Sequence, residues 1–309
     1  MISRRHIRLK VIQSLYAFRS QNERDIRKGE RDMLKHIENI SELHLVILSF
    51  LVSLINHAES FFEEGKNKHL PNKEDINPNM KFVNNSFVKI ISENKKLSNQ
   101  IKLVSAFWHD NDHDIVRKIF MDILKSDDYK NYLKKEEDDI EIDIRFFNNI
   151  LNNYILNNTI LHHMLEERSI YWIDDLPFVA TIIMGNFKLQ KIILPKTVFK
   201  NNIDKKFALV LFQETIKNDA EYEKIIVKKA KNWDLERIAI MDQILIKMAF
   251  CEILNMPELP IKVSLNEYIE ISKYYSTNKS KMFVNGLLDS AVNDFKKENM
   301  INKVGRGLM

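Results

Sequence analysis

The sequence predicts an all-α protein, and three observations carry that prediction. Glycine and proline are scarce, six of each among 309 residues, whereas sheets and phosphate loops need glycine wherever the backbone takes unusual angles. Apolar residues recur at three- and four-residue spacing, and no segment shows sustained alternation bounded by turn signals. Lys, Glu, Leu and Ile are abundant, and with 45% apolar residues the chain can bury a sizeable core.

Taken in order, the first helix is expected over about residues 3–20, with Ile7, Val11, Leu15 and Phe18 on one stripe and Ser3 as N-cap. A polar hinge follows at 22–31, then helical patterning to Phe62 and a breaker-rich loop at 65–78. Further helices are expected at 82–109, 112–133, 142–168 and 177–189, with a boundary at Pro195. Downstream, helices are expected at 204–217, 220–231 and 240–254, the last stopped by Pro257 and Pro260. Ser264-x-x-Glu267 reads as a capping box opening the next helix, and Phe283, Leu287, Ala291 and Phe295 stripe the final one. A shift of 61 sets Asp143 on Asp204, Phe146 on Phe207 and Trp172 on Trp233, a faint internal echo.

The net charge is only +4, but its distribution is uneven. Arg4, Arg5, Arg8, Lys10 and Arg19 precede the first acidic residue, Glu23, and Lys296, Lys297, Lys303 and Arg306 make the far end basic again. Such local excess is the footprint of a nucleic-acid contact. The single cysteine, Cys251, allows no internal disulfide and reads as a core residue. The most apolar stretch, residues 43–55 (LHLVILSFLVSLI), falls short of the about 20 residues a bilayer span needs, so a buried helix, no membrane and a cytoplasmic protein are expected. The cluster from Trp108 to Asp114 (WHDNDHD) has histidines but no third ligand set, and its aspartates suit a helix start, so no metal site is expected. With no glycine-rich phosphate loop, nucleophile elbow or thiol motif, the chain reads as a non-enzyme without catalytic residues or cofactor.

Residues 259–289 read LPIKVSLNEYIEISKYYSTNKSKMFVNGLLD, and RIAIMDQILIKMA at 237–249 precedes them. With SRRHIRLKVIQSLYAF near the start, these segments resemble the NusB family of transcription antitermination factors. The resemblance implies a basic first helix at 1–21, a helical insertion at 22–198, a NusB-like helical domain of packed bundles at 199–298 and a basic tail at 299–309. It further implies binding of single-stranded boxA-type RNA of ribosomal RNA transcripts, together with the ribosomal protein NusE, in the transcription elongation complex. Carried over by residue, the RNA-facing set is Arg4, Arg5, His6, Arg8, Tyr16, Lys279, Lys281 and Phe283, and Asp242 faces NusE. Lys279 stands where the family carries an acidic residue, which makes that turn more basic. Arginines and aromatic rings suit phosphates and unstacked bases. Tyr16 and Phe283 equally suit core packing, and Asn285 and Gly286 suggest close helix approach. The alternatives are a NusB-like RNA-binding module in ribosome assembly or RNA modification, and a purely protein-binding helical adaptor.

Overall fold

The structure is a computed structural model that describes residues 2–108, 113–135, 139–192, 198–230 and 237–304. Among the described residues every regular element is helical. In chain order these are α1 (Arg4–Ser20), α2 (Ile26–Lys66), α3 (Lys73–Ile76), α4 (Ser86–Glu93) and α5 (Lys95–Ser105). Next come α6 (His113–Lys125), α7 (Asp127–Leu133), α8 (Ile140–Ile150), α9 (Thr159–Arg168) and α10 (Trp172–Lys188). The last five are α11 (Asn202–Lys217), α12 (Asp219–Lys229), α13 (Ile240–Asn255), α14 (Ile261–Tyr275) and α15 (Asn278–Lys297). The chain divides into two compact units, Met1–Ile37 with Thr197–Met309, and Glu38–Lys196. The division falls inside α2.

In the first unit α13 is the central element. Twelve consecutive residues from Asp242 to Ile253 are buried, the mark of a helix covered on all sides. α1, α11, α14 and α15 each pack against it. α1 begins as its sequence predicts, Ser3 accepting a hydrogen bond from the His6 amide. It buries Ile7, Val11, Ile12 and Leu15. Gly29 is required by close approach, since a Cβ there would lie 2.8 Å from both Phe18 and Phe212, whose rings meet edge-on with centroids 5.8 Å apart. Two expectations need correction. α14 starts at Ile261 with Pro260 as its cap, so Ser264 is an interior residue and no capping box forms. Gly286 faces open space, and a Cβ at that position would meet nothing within 4 Å, so close helix approach does not explain it.

The second unit is built on rings. Phe87, Phe147 and Phe187 each lie near-parallel to the other two, with centroid distances of 4.7 to 5.5 Å, and Phe82 stacks on Phe120 and Phe147. Buried Asp143 accepts hydrogen bonds from the Ser86 amide at 2.7 Å and the Tyr132 hydroxyl at 2.7 Å, and the Trp108 indole donates to Ser49 at 2.8 Å. The apolar stretch at 43–55 lies within α2, whose 41 residues are long and apolar enough by composition to cross a membrane. Half of its most apolar window is buried within the fold, including Leu43, Val46, Phe50 and Leu54. α10 begins five residues ahead of Pro177, with the proline accommodated inside the helix. Shifting α9 by 61 carries it onto 220–229, inside α12, and Asp143 and Asp204 are both buried carboxylates in the first turn of their helices. Trp233, the third point of that echo, lies outside the described residues, as do His109–Asp112 of the WHDNDHD cluster.

Candidate nucleic-acid interface

Three arginines within five residues of a helix cannot share one face, and α1 sends them to different destinations. Arg8 is 2% exposed. It forms a fork on Glu252 of α13, at 2.8 and 2.6 Å, and Glu252 also accepts from the Ser264 hydroxyl at 2.6 Å and the Tyr268 hydroxyl at 3.1 Å. Burial by itself would lower the Arg8 pKa, but the hydrogen bond and charge of Glu252 outweigh it and hold the group well above its ordinary value. Arg4 donates to Asp204 at 3.1 Å, and both Arg4 and Arg8 lie over the Phe207 ring, 5.2 and 5.3 Å from its centroid. Lys10 is buried as well.

Arg5 points the other way. Its side chain is 50% exposed and is held at 2.9 and 2.8 Å by both oxygens of Glu267 on α14. Eight residues on, Gln13 donates to the Tyr275 hydroxyl at 3.2 Å. Both contacts join residues 262 apart, so α1 and α14 run parallel, bridged by long side chains. Tyr16, 43% exposed, follows Arg5, Leu9 and Gln13 on the outward stripe of α1. At the end of α14 the turn into α15 is fixed from below: Ser276 donates to Asp242, at the start of α13, and Thr277 caps α15 through the Ser280 amide.

Several predicted site residues therefore stand differently from their sequence reading. Arg8 is interior because positions 7, 8, 11 and 15 share the buried face. Arg4 is engaged by Asp204. Asp242, expected on an exposed partner-facing side, is 2% exposed and supports the Ser276 turn. His6 has its pKa pushed down to about 4, chiefly by burial and then by Lys10 and Arg5, so it is neutral at pH 7. Arg5 and Tyr16 are exposed, while Lys281 and Phe283 are half-buried near the start of α15. The side chain of Lys279 lies outside the described residues. Tyr274, 83% exposed, went unread in the sequence, as did Lys247. The latter lies at 1% side-chain exposure between Asp219 and Glu223, 2.6 and 3.2 Å away, in a cleft of about 590 Å³ at the far end of α1.

The two units differ in charge. Met1–Ile37 with Thr197–Met309 holds 28 Lys and Arg against 19 Asp and Glu, whereas Glu38–Lys196 holds 19 against 24. A net +9 on one unit and −5 on the other lies hidden in the whole chain's +4.

Residues 187–293 match the model of the NusB family. This region is a NusB-family domain. Its curated relatives include the transcription antitermination protein NusB of Chloroherpeton thalassium, 42% identical over 122 residues, which are 40% of this chain and 58% of that protein. The protein of the same name from Salinibacter ruber is 48% identical over 103 residues, 33% of this chain and 64% of the relative. That of Thermodesulfovibrio yellowstonii is 39% identical over 90 residues, 29% and 60% respectively. The chain thus spans less than two thirds of each of these relatives, and much of it lies outside the matched stretches. No solved structure matches it. The NusB-family domain contains α11 to α14 and most of α15, and α1 belongs to the same compact unit.

Proposed function

We propose that this protein is a NusB-type antitermination factor that binds single-stranded, boxA-type RNA together with NusE, works in the cytoplasm within the transcription elongation complex, and has no chemistry of its own. The observation that carries the reading is the outward face of α1 beside α14 and the start of α15, on the basic unit. There an exposed guanidinium, an amide and an exposed phenol follow one another along α1, and Lys281 and Arg5 both lie within electrostatic reach of Glu270 on α14, which supplies the groups a single strand needs for phosphate contact and base stacking. Arg5, Tyr16, Lys279, Lys281 and Phe283 are the RNA-facing residues of this reading. Arg4, His6 and Arg8 hold α1 in position, and Asp242 acts on NusE through the Ser276 turn that it braces. The acidic unit, Glu38–Lys196, lies within the insertion expected at 22–198, and its net −5 suits phosphates poorly, so in this reading it takes no part in RNA binding.

The test is fluorescence anisotropy of a labelled boxA-like RNA with the full chain, with and without NusE, across a salt series. Nanomolar to micromolar binding that weakens with salt is expected, and each lost phosphate contact should remove about 0.7 from the slope of log affinity against log salt. Arg5→Ala and Lys281→Ala should each do so. Salt-independent or undetectable binding in both conditions would leave a protein-binding adaptor as the better reading.

A further inference from the structure

Tyr274 lies in the last turn of α14, one residue before Tyr275, whose hydroxyl receives the Gln13 hydrogen bond. A lone exposed tyrosine is ordinary on a protein surface. The surroundings of this one are not. Glu267, Glu270 and Tyr274 are spaced at three and four residues and share a face of α14. Arg5 is pinned on that face by both oxygens of Glu267, and its guanidinium lies within the electrostatic reach of Glu270 and of the Tyr274 phenol. Glu270 is engaged by Lys273 and felt by Lys281. The acidic groups of the face are therefore compensated by cations, while the ring, 83% exposed and within electrostatic reach of Arg5, is left standing in solvent.

We infer that Tyr274 is a base-stacking platform for single-stranded RNA, additional to Tyr16 and Phe283 and resting on the RNA-binding reading above. The ring offers a π-face that any base can cover, while Arg5 and Lys281 meet the phosphates on either side of that nucleotide. Tyr16 and Tyr274 flank the Gln13–Tyr275 bond from neighbouring helices, so the two rings serve separate nucleotides of one strand. Stacking is indifferent to base identity, so Tyr274 contributes affinity without sequence preference, and because it neutralises no phosphate it leaves the salt dependence alone.

The test uses the full chain and a fluorescein-labelled 12-nucleotide single-stranded RNA at low salt. Tyr274→Ala is expected to weaken binding about tenfold with an unchanged salt slope and an unchanged thermal midpoint. Tyr274→Phe should bind like the parent, since the ring remains. Tyr274→Trp should also bind, and its added indole emission should be quenched as unlabelled RNA of the same sequence is titrated in. If the parent binds RNA and Tyr274→Ala binds equally well, or if the indole emission added by Tyr274→Trp does not respond, the platform is wrong while the RNA-binding reading survives. If the parent itself binds no RNA, both fall together.

Discussion

Arg8 offers the sharpest separation between the basic run as sequence and the basic run as structure. Were Arg8 an RNA ligand, Arg8→Ala would spare folding and lower affinity. The structure requires the reverse. Arg8 and Glu252 are 2% and 0% exposed and joined by two short hydrogen bonds. Removing one partner strands a buried charge, at about 3–5 kcal/mol. In a unit of roughly 150 residues, at about 2–4 °C per kcal/mol, the midpoint falls by on the order of 10 °C. Amide exchange should lose protection first in peptides of α1 and α13, which the pair joins. Glu252→Gln in the Arg8→Met background should recover a large part of the loss. The amide oxygen still accepts from Ser264 or Tyr268, whereas an alkyl chain would leave both hydroxyls without an acceptor, at about 1–3 kcal/mol each. The singles should therefore exceed the double, with a coupling of at least about 2 kcal/mol. An Arg8→Ala protein within about 1 kcal/mol of the parent, and unable to bind RNA, would refute the core assignment.

Other sites make narrower tests. His44, 2% exposed, has its pKa lowered from 6.5 to about 4 by burial. The unfolded chain then takes up a proton that the folded one refuses, so stability is complete above pH 6.5 and declines toward pH 4. The decline is worth about 3 kcal/mol from this residue, and urea titrations of His44→Leu should show a flatter profile over that window. Burial raises the Cys251 thiol to about 12, so a chromogenic disulfide reagent at pH 8 should react only after denaturant is added. Gly29→Ala should destabilise by about 1–3 kcal/mol through overlap with Phe18 and Phe212. Gly286→Ala meets no neighbour and should stabilise α15 by up to about 1 kcal/mol, as read by thermal melting.

Helix existence and order were legible because 3.6-residue periodicity is a local property: α1, α11, α13 and α15 lie within a few residues of their expected bounds. What eluded the sequence required knowing a partner from far along the chain. Ser264 and Glu267 have capping-box spacing, yet their hydrogen bonds go to Glu252 and Arg5, and no local pattern reveals that. Asp242 likewise looks like a charge at a helix start, and only the return of the chain at Ser276 covers it. Lys247 has the spacing of a core position within an apolar run, which was a usable signal, because a cation there implies carboxylates from a neighbouring helix. Tyr274 and Tyr275 are indistinguishable by type, and the 100° between them decides which ring packs and which is exposed.

That angular logic bears on any basic run carried by a helix. Arg4 and Arg8 are four residues apart, share a face, and accordingly share the Phe207 ring. Arg5 is set off by about 100° and alone of the three reaches the outward stripe. Counting all three as phosphate contacts predicts that their joint replacement flattens the salt slope by about 2, whereas one exposed guanidinium predicts about 0.7. The triple replacement cannot decide between these values, because losing Arg8 compromises the fold that presents Arg5. Arg5→Ala alone, compared with Arg4→Ala, can. A slope change confined to Arg5→Ala would show that helical face, and not local charge density, determines which of these arginines meets the nucleic acid. Equal changes for both would mean that the Arg4–Asp204 pair opens when RNA binds.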